Sequence, residues 1–163
     1  VARGNPGSWL AAVISLLAAL VLSVVPVTDA IAAFRPDWVA VVLLYWSLIG
    51  PRRHGLLTAF WMGLALDSLT GALLGQHALA LLLIVYLSQR FHSRMRVFPV
   101  SQLAMAVIVL LSLYQFVLFW IDGVAGRTVP LIDRWAPVVT GTMLWLLILV
   151  FFERGRQAAA ARM

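Results

Sequence analysis

Long apolar stretches along this chain alternate with short polar punctuation, and the apolar positions run on continuously rather than in alternation. Trp9 to Val27 is nineteen residues without a charge, enough helix to cross a hydrocarbon core of about 30 Å at about 1.5 Å per residue. Arg3 upstream and Ala30-Ile31-Ala32 downstream resemble a signal peptide. The apolar core exceeds the roughly 7–15 residues of such signals, so a retained first span is expected. A loop over 26–37 leads to a second span at 35–49. Pro36 suits a first helical turn, where a missing N–H costs nothing, and Asp37 faces the positive end of that helix. Fifteen residues reach only about 22 Å, which places Phe34-Arg35-Pro36 within the interface or thins the bilayer. Trp38, Tyr45 and Trp46 read as interfacial aromatic anchors.

From Leu56 to Leu87 the chain is apolar for 32 residues, interrupted by Asp67, glycines and His77. Two full crossings call for about forty residues and one for about twenty. The arginines decide between them. Arg52 and Arg53 precede the stretch, and Arg90, Arg94 and Arg96 follow it. Both clusters fall on the cytoplasmic side only if the chain crosses twice between them. The pattern predicts two short helices at 56–70 and 73–89, joined by a turn around Gly71–Gly75. Further spans follow at 100–121 and 135–152, with Pro137 early in the last. The expected architecture is an all-α integral membrane protein, one domain over 1–163, with six transmembrane helices at about 9–27, 35–49, 56–70, 73–89, 100–121 and 135–152. With both termini cytoplasmic, Arg3, Arg52, Arg53, Arg90, Arg94, Arg96, Arg154, Arg156 and Arg162 lie inside. Only Arg35, Arg127 and Arg134 lie outside, which the positive-inside rule favours.

Composition supports this class. The 163 residues are 63% hydrophobic and 11% charged, with a mean hydropathy of +1.00; a soluble domain would carry about 25% charged residues. The net charge of +6 comes entirely from arginine, with no lysine. In a membrane protein such charge orients the chain and meets anionic lipid headgroups, not nucleic acid. With no cysteine, disulfides, thiolate metal sites and thiol catalysis are excluded. His54, His77 and His92 have no metal-ligand spacing. Nucleophile elbow, zinc-protease motif and P-loop are all absent, so neither an enzyme nor a cofactor is expected.

The run from Trp61 to His77 holds the one carboxylate deep in an apolar stretch. Gly63, Asp67, Gly71 and Gly75 recur every four residues, one face of a helix if helix continues throughout. A charged acid at a span centre costs roughly 2.5–3.5 kcal/mol on insertion scales, so Asp67 requires a partner, water or a proton. Three readings are open. Asp67 is a structural acid satisfied by the following turn, with His77 capping that turn near Gln76; or it pairs with Arg35 at the same membrane level; or it belongs to a ligand or ion site. The glycines read either as a turn or as a small-residue groove for a partner's helix.

Two stretches carry a family resemblance. Phe34-Arg35-Pro36-Asp37-Trp38-Val39-Ala40-Val41-Val42-Leu43-Leu44-Tyr45-Trp46 resembles the second-span start of the bacterial rod shape-determining MreD family. Gly63 to Ala80, with Leu66-Asp67-Ser68 and Gly71-Ala72-Leu73-Leu74-Gly75, is similar to that family's third and fourth spans, most like its proteobacterial members. Arg35, Pro36, Asp37, Trp38, Asp67, Gly71 and Gly75 fall on the family pattern. The resemblance implies a non-enzymatic scaffold of the inner membrane that binds MreC. Through MreC it would join MreB, RodA and penicillin-binding protein 2 in lateral peptidoglycan synthesis. It also implies a fold like the S component of energy-coupling-factor transporters. Gly63 joins the pattern residues as a candidate contact, and Arg52, Arg53, Arg90, Arg94 and Arg96 form the cytoplasmic basic set, facing anionic lipid or a cytoplasmic partner. The rival expectation is a small-molecule-binding transport subunit with an outward pocket near Arg35, Asp67, Gln76 and His77.

Overall fold

The computed structural model describes residues 6–26, 28, 32–49, 55–95 and 99–160. Six α-helices and no strand occur among them: α1 (Pro6–Val24), α2 (Trp38–Ile49), α3 (Leu56–Thr70), α4 (Gln76–Met95), α5 (Val100–Val124) and α6 (Leu131–Ala160). Proline and glycine set several ends. Pro6 opens α1 where its missing N–H costs nothing, and Pro26 follows closely on its last turn. The helix expected from residue 35 starts instead at Trp38. Pro36 stays outside it, and the Asp37 carbonyl accepts the N–H of Val41 in the first helical turn. α3 stops at Thr70 because Gly71 turns left-handed (φ 66°) and returns its N–H to the Asp67 carbonyl. Glycine periodicity therefore does not extend along one helix. Gly71 and Gly75 (φ 96°) are turn residues. α6 begins earlier and runs further than 135–152, so Pro137 sits in its second turn, where the Asp133 carbonyl lacks its usual helical donor.

The helices alternate up and down. Contacts between α1 and α2 show it at two levels: Trp46 Nε1 donates to Ser15 Oγ over 2.9 Å, and Arg35 donates to the Leu22 carbonyl. Near the other end of α2 the Ser47 and Ser88 hydroxyls meet at 2.7 Å inside the core. α2 packs against α1, α4, α5 and α6 and is buried on nearly every side. This corrects the interfacial role expected of its aromatics. Tyr45 and Trp46 are 3% and 7% exposed and belong to the core, because a short helix that is apolar all round is stable only when surrounded. Trp38 packs at the margin of that core.

The outer surface is apolar. On α1, Leu10, Ile14, Leu17 and Val21 form an exposed stripe opposite buried Ala12, Leu16 and Ala19. Phe116, Phe119 and Trp120 on α5, and Val139, Met143 and Leu147 on α6, are exposed as well. So much apolar surface would be a liability in water and is the normal exterior in lipid. The helices over Val100–Val124 and Leu131–Phe151 are long and apolar enough to cross a membrane; those over 10–24, 38–48 and 56–70 are apolar but shorter.

Candidate functional site: a polar end in an apolar bundle

The alternation of helices brings the C-terminal ends of α1, α3 and α5 together with the N-terminal ends of α2, α4 and α6. The side chains of Asp37, Asp67 and Asp122 are hydrogen-bonded there. Asp67, 1% exposed, holds the α3–α4 turn. Its Oδ2 accepts the N–H of Gly75 (2.8 Å), and its Oδ1 accepts the N–H of His77 (2.9 Å) and His77 Nδ1 (2.7 Å). An acid at the end of α3 thus caps the start of α4. It satisfies orphan backbone donors and sits against the positive end of the dipole. That is the structural-acid reading. The Arg35–Asp67 pair does not form, because Arg35 turns away to the Leu22 carbonyl at the end of α1.

Two further knots tie this end. Asp122, near the end of α5, forms an ion pair with Arg134 in the first turns of α6. It also accepts Gln76 Nε2 at 3.1 Å. All three side chains are buried, so charge is matched where it is shielded from water. Asp37, ahead of α2, accepts the side-chain amide of Gln115 from α5. Sequence reasoning left Asp122 and Arg134 in a loop and passed over Gln115 and Tyr114. The available signal was Gln115 deep within an uncharged span, since a buried polar side chain needs a partner.

Between these knots lies a cavity of about 140 Å³, lined by polar Ser23, Arg35, Asp37, Thr70, His77 and Tyr114 together with apolar neighbours from α2 and α3. Tyr114 is fully buried, and its hydroxyl has no protein partner. Its ring lies 6.3 Å from that of His77. No cluster of metal-ligating side chains occurs among the described residues.

The other candidate residues lie elsewhere. Gly63 is buried where α3 crosses α4; a Cβ there would fall 2.2 Å from Ala78 Cα and 2.5 Å from its nitrogen. Its smallness is used inside the chain. Arg90 is exposed at the opposite end of the bundle, near the end of α4, and Arg94 follows one turn later. Arg52, Arg53 and Arg96 lie outside the described residues. A second, larger depression of about 620 Å³ runs between α4 and α5 toward that end. It is lined by Leu87, Phe91, Met105, Val109, Leu113 and neighbours, with Ser101 and Gln102 among its few polar residues.

A helical bundle with an apolar exterior and one internally bonded polar end is a membrane protein. The model of the family described as rod shape-determining protein MreD matches residues 5–154, and the chain belongs to that family. It is 25% identical over 114 residues to the rod shape-determining protein MreD of Haemophilus influenzae, a match covering 70% of each chain. No solved structure matches.

Proposed function

We propose that the protein is a non-enzymatic scaffold of the cell-elongation complex. In this reading it crosses the bacterial inner membrane six times, with both termini in the cytoplasm. It binds MreC directly and through it takes part with MreB, RodA and penicillin-binding protein 2 in lateral peptidoglycan synthesis. The observation that carries the reading is the family match across residues 5–154. An exterior rich in exposed apolar side chains supports it. In this reading the polar end faces outward and the end bearing Arg90 and Arg94 faces inward against anionic lipid, which the excess of arginine on the expected cytoplasmic side supports. The fold itself is proposed to resemble that of energy-coupling-factor S components.

Since Gly63 is used internally and Gly71 and Gly75 form a turn, the partner surface is assigned to the α4–α5 depression. Its occupant is the single transmembrane helix of MreC. Phe91, Met105 and Val109 stand exposed on its walls, and in lipid such docking rests on close packing rather than on release of water. Arg35, Asp37, Trp38 and Asp67 then act structurally, shaping the outer end. Co-purification with MreC of the same organism tests this. Val109→Trp, which fills the depression from an exposed position, is expected to lose most captured MreC at unchanged expression. Full capture by Val109→Trp would move the interface elsewhere, and no capture by the parent chain would overturn the scaffold.

One observation favours a second reading, a small-molecule-binding transport subunit: the polar cavity with the unpartnered Tyr114 hydroxyl.

A further inference from the structure

The cavity at the polar end is lined by groups whose hydrogen-bonding capacity is only partly used. Ser23 Oγ donates to the Ala19 carbonyl (2.8 Å) and Thr70 Oγ1 to the Leu66 carbonyl (2.7 Å), so both offer only lone pairs to the cavity. Asp37 uses one carboxylate oxygen on Gln115 and leaves the other open. His77 turns Nδ1 to the Asp67 carboxylate, so that nitrogen carries a proton and Nε2 is left for the cavity. The Tyr114 hydroxyl, fully buried, is unpartnered. Against these acceptors stands one cation. Arg35 is anchored to the Leu22 carbonyl through a single nitrogen, and a guanidinium carries five donors.

A fully buried, unmatched hydroxyl is costly in an apolar setting and calls for a bound group. An acidic, acceptor-rich wall facing a guanidinium is complementary to a molecule with a cation at one end and an anion at the other. The volume of about 140 Å³ lies below the roughly 300–1,000 Å³ of pockets for drug-sized ligands, so its occupant is small. We propose that this cavity binds a small zwitterion, a free α-amino acid the size of glycine or alanine. Its ammonium lies against Asp37, Thr70 and Ser23 with Tyr114 beside it, and its carboxylate lies against Arg35. The proposal deepens the second reading, in that it rests on the cavity being a ligand site. It requires neither transport nor the scaffold reading.

The test is a titration of the full chain in nanodiscs with glycine, L-alanine and D-alanine, and with ethylamine and propionate as single-charge probes, read by calorimetry and thermal unfolding. Expected is saturable binding of at least one amino acid, with ethylamine and propionate at least tenfold weaker. Tyr114→Phe removes only the unpartnered hydroxyl, and with it a buried polar group that nothing satisfies, so its ligand-free melting temperature is expected to hold or rise while affinity falls about three- to tenfold, the worth of one hydrogen bond. Ethylamine or propionate binding as well as the amino acids would overturn the zwitterion while leaving a ligand site. Amino-acid affinity unchanged in Tyr114→Phe would move binding out of this cavity. No binding by a folded parent chain that still captures MreC would remove the ligand site and leave the scaffold standing.

Discussion

Asp67 gains its place from three donors that the chain supplies ten residues or fewer downstream. Asp67→Asn retains one acceptor oxygen and loses the charge on which those bonds depend. It is expected to cost about 1.5–3 kcal/mol, the range for hydrogen bonds to charged groups, read as a lower unfolding temperature in detergent. An unchanged melting curve would show that the cap is not needed. Asp122 and Arg134 make a different case, because a buried ion pair with one partner removed leaves an uncompensated charge, at about 3–5 kcal/mol. The exchange Asp122→Arg with Arg134→Asp is expected to recover more than half of what either single change loses, since the Gln76 amide can turn its oxygen toward the new guanidinium. A double variant no better than the worse single one would contradict the pair. At this scale the sequence was informative only for local partners. The turn below Asp67 could be read because Gly71, Gly75 and His77 are near neighbours. The Asp37–Gln115 and Gln76–Asp122 bonds span 78 and 46 positions, and no spacing rule reaches that far.

Helix α3 and helix α4 approach closely at Gly63, where the backbone of Ala78 occupies the place of a side chain. Any Cβ at 63 collides with the backbone of Ala78 rather than with a side chain that could swing aside. Gly63→Ala is therefore expected to cost about 1–3 kcal/mol or more by overpacking. Adding Ala78→Gly is expected not to rescue it, since the 2.2 Å and 2.5 Å contacts are to Ala78 Cα and nitrogen. Rescue, measured as recovery of monodisperse protein, would mean that the helices are held apart by side chains. Element positions were largely legible from apolar runs, and α3 ends where Gly71 announced it. The role of α2 was not. Its aromatics read as interfacial anchors because Tyr45 and Trp46 are amphipathic, whereas four neighbouring helices enclose them. The signal that pointed the other way was its shortness combined with apolarity on all sides.

The whole molecule places Asp37, Asp67 and Asp122 at one end and the exposed Arg90 at the other, and the orientation of that axis is open to direct test. The chain has no cysteine, so any cysteine introduced is unique. Thr128→Cys, in the exposed connection between α5 and α6, is expected to react with a membrane-impermeant maleimide in intact spheroplasts. Gly55→Cys, where an added Cβ meets nothing within 4 Å, is expected to react only after lysis. The reverse pattern would invert the proposed topology. The central claim is that the apolar flank of this bundle carries a partner helix. In-cell photocross-linking tests it most directly, with a photoreactive residue at Met105 or Val109 in the α4–α5 depression and at Met143 on exposed α6. The account expects an adduct with MreC from the first two positions and none from the third; an adduct from Met143 alone, or from no position in rod-shaped cells, would contradict it.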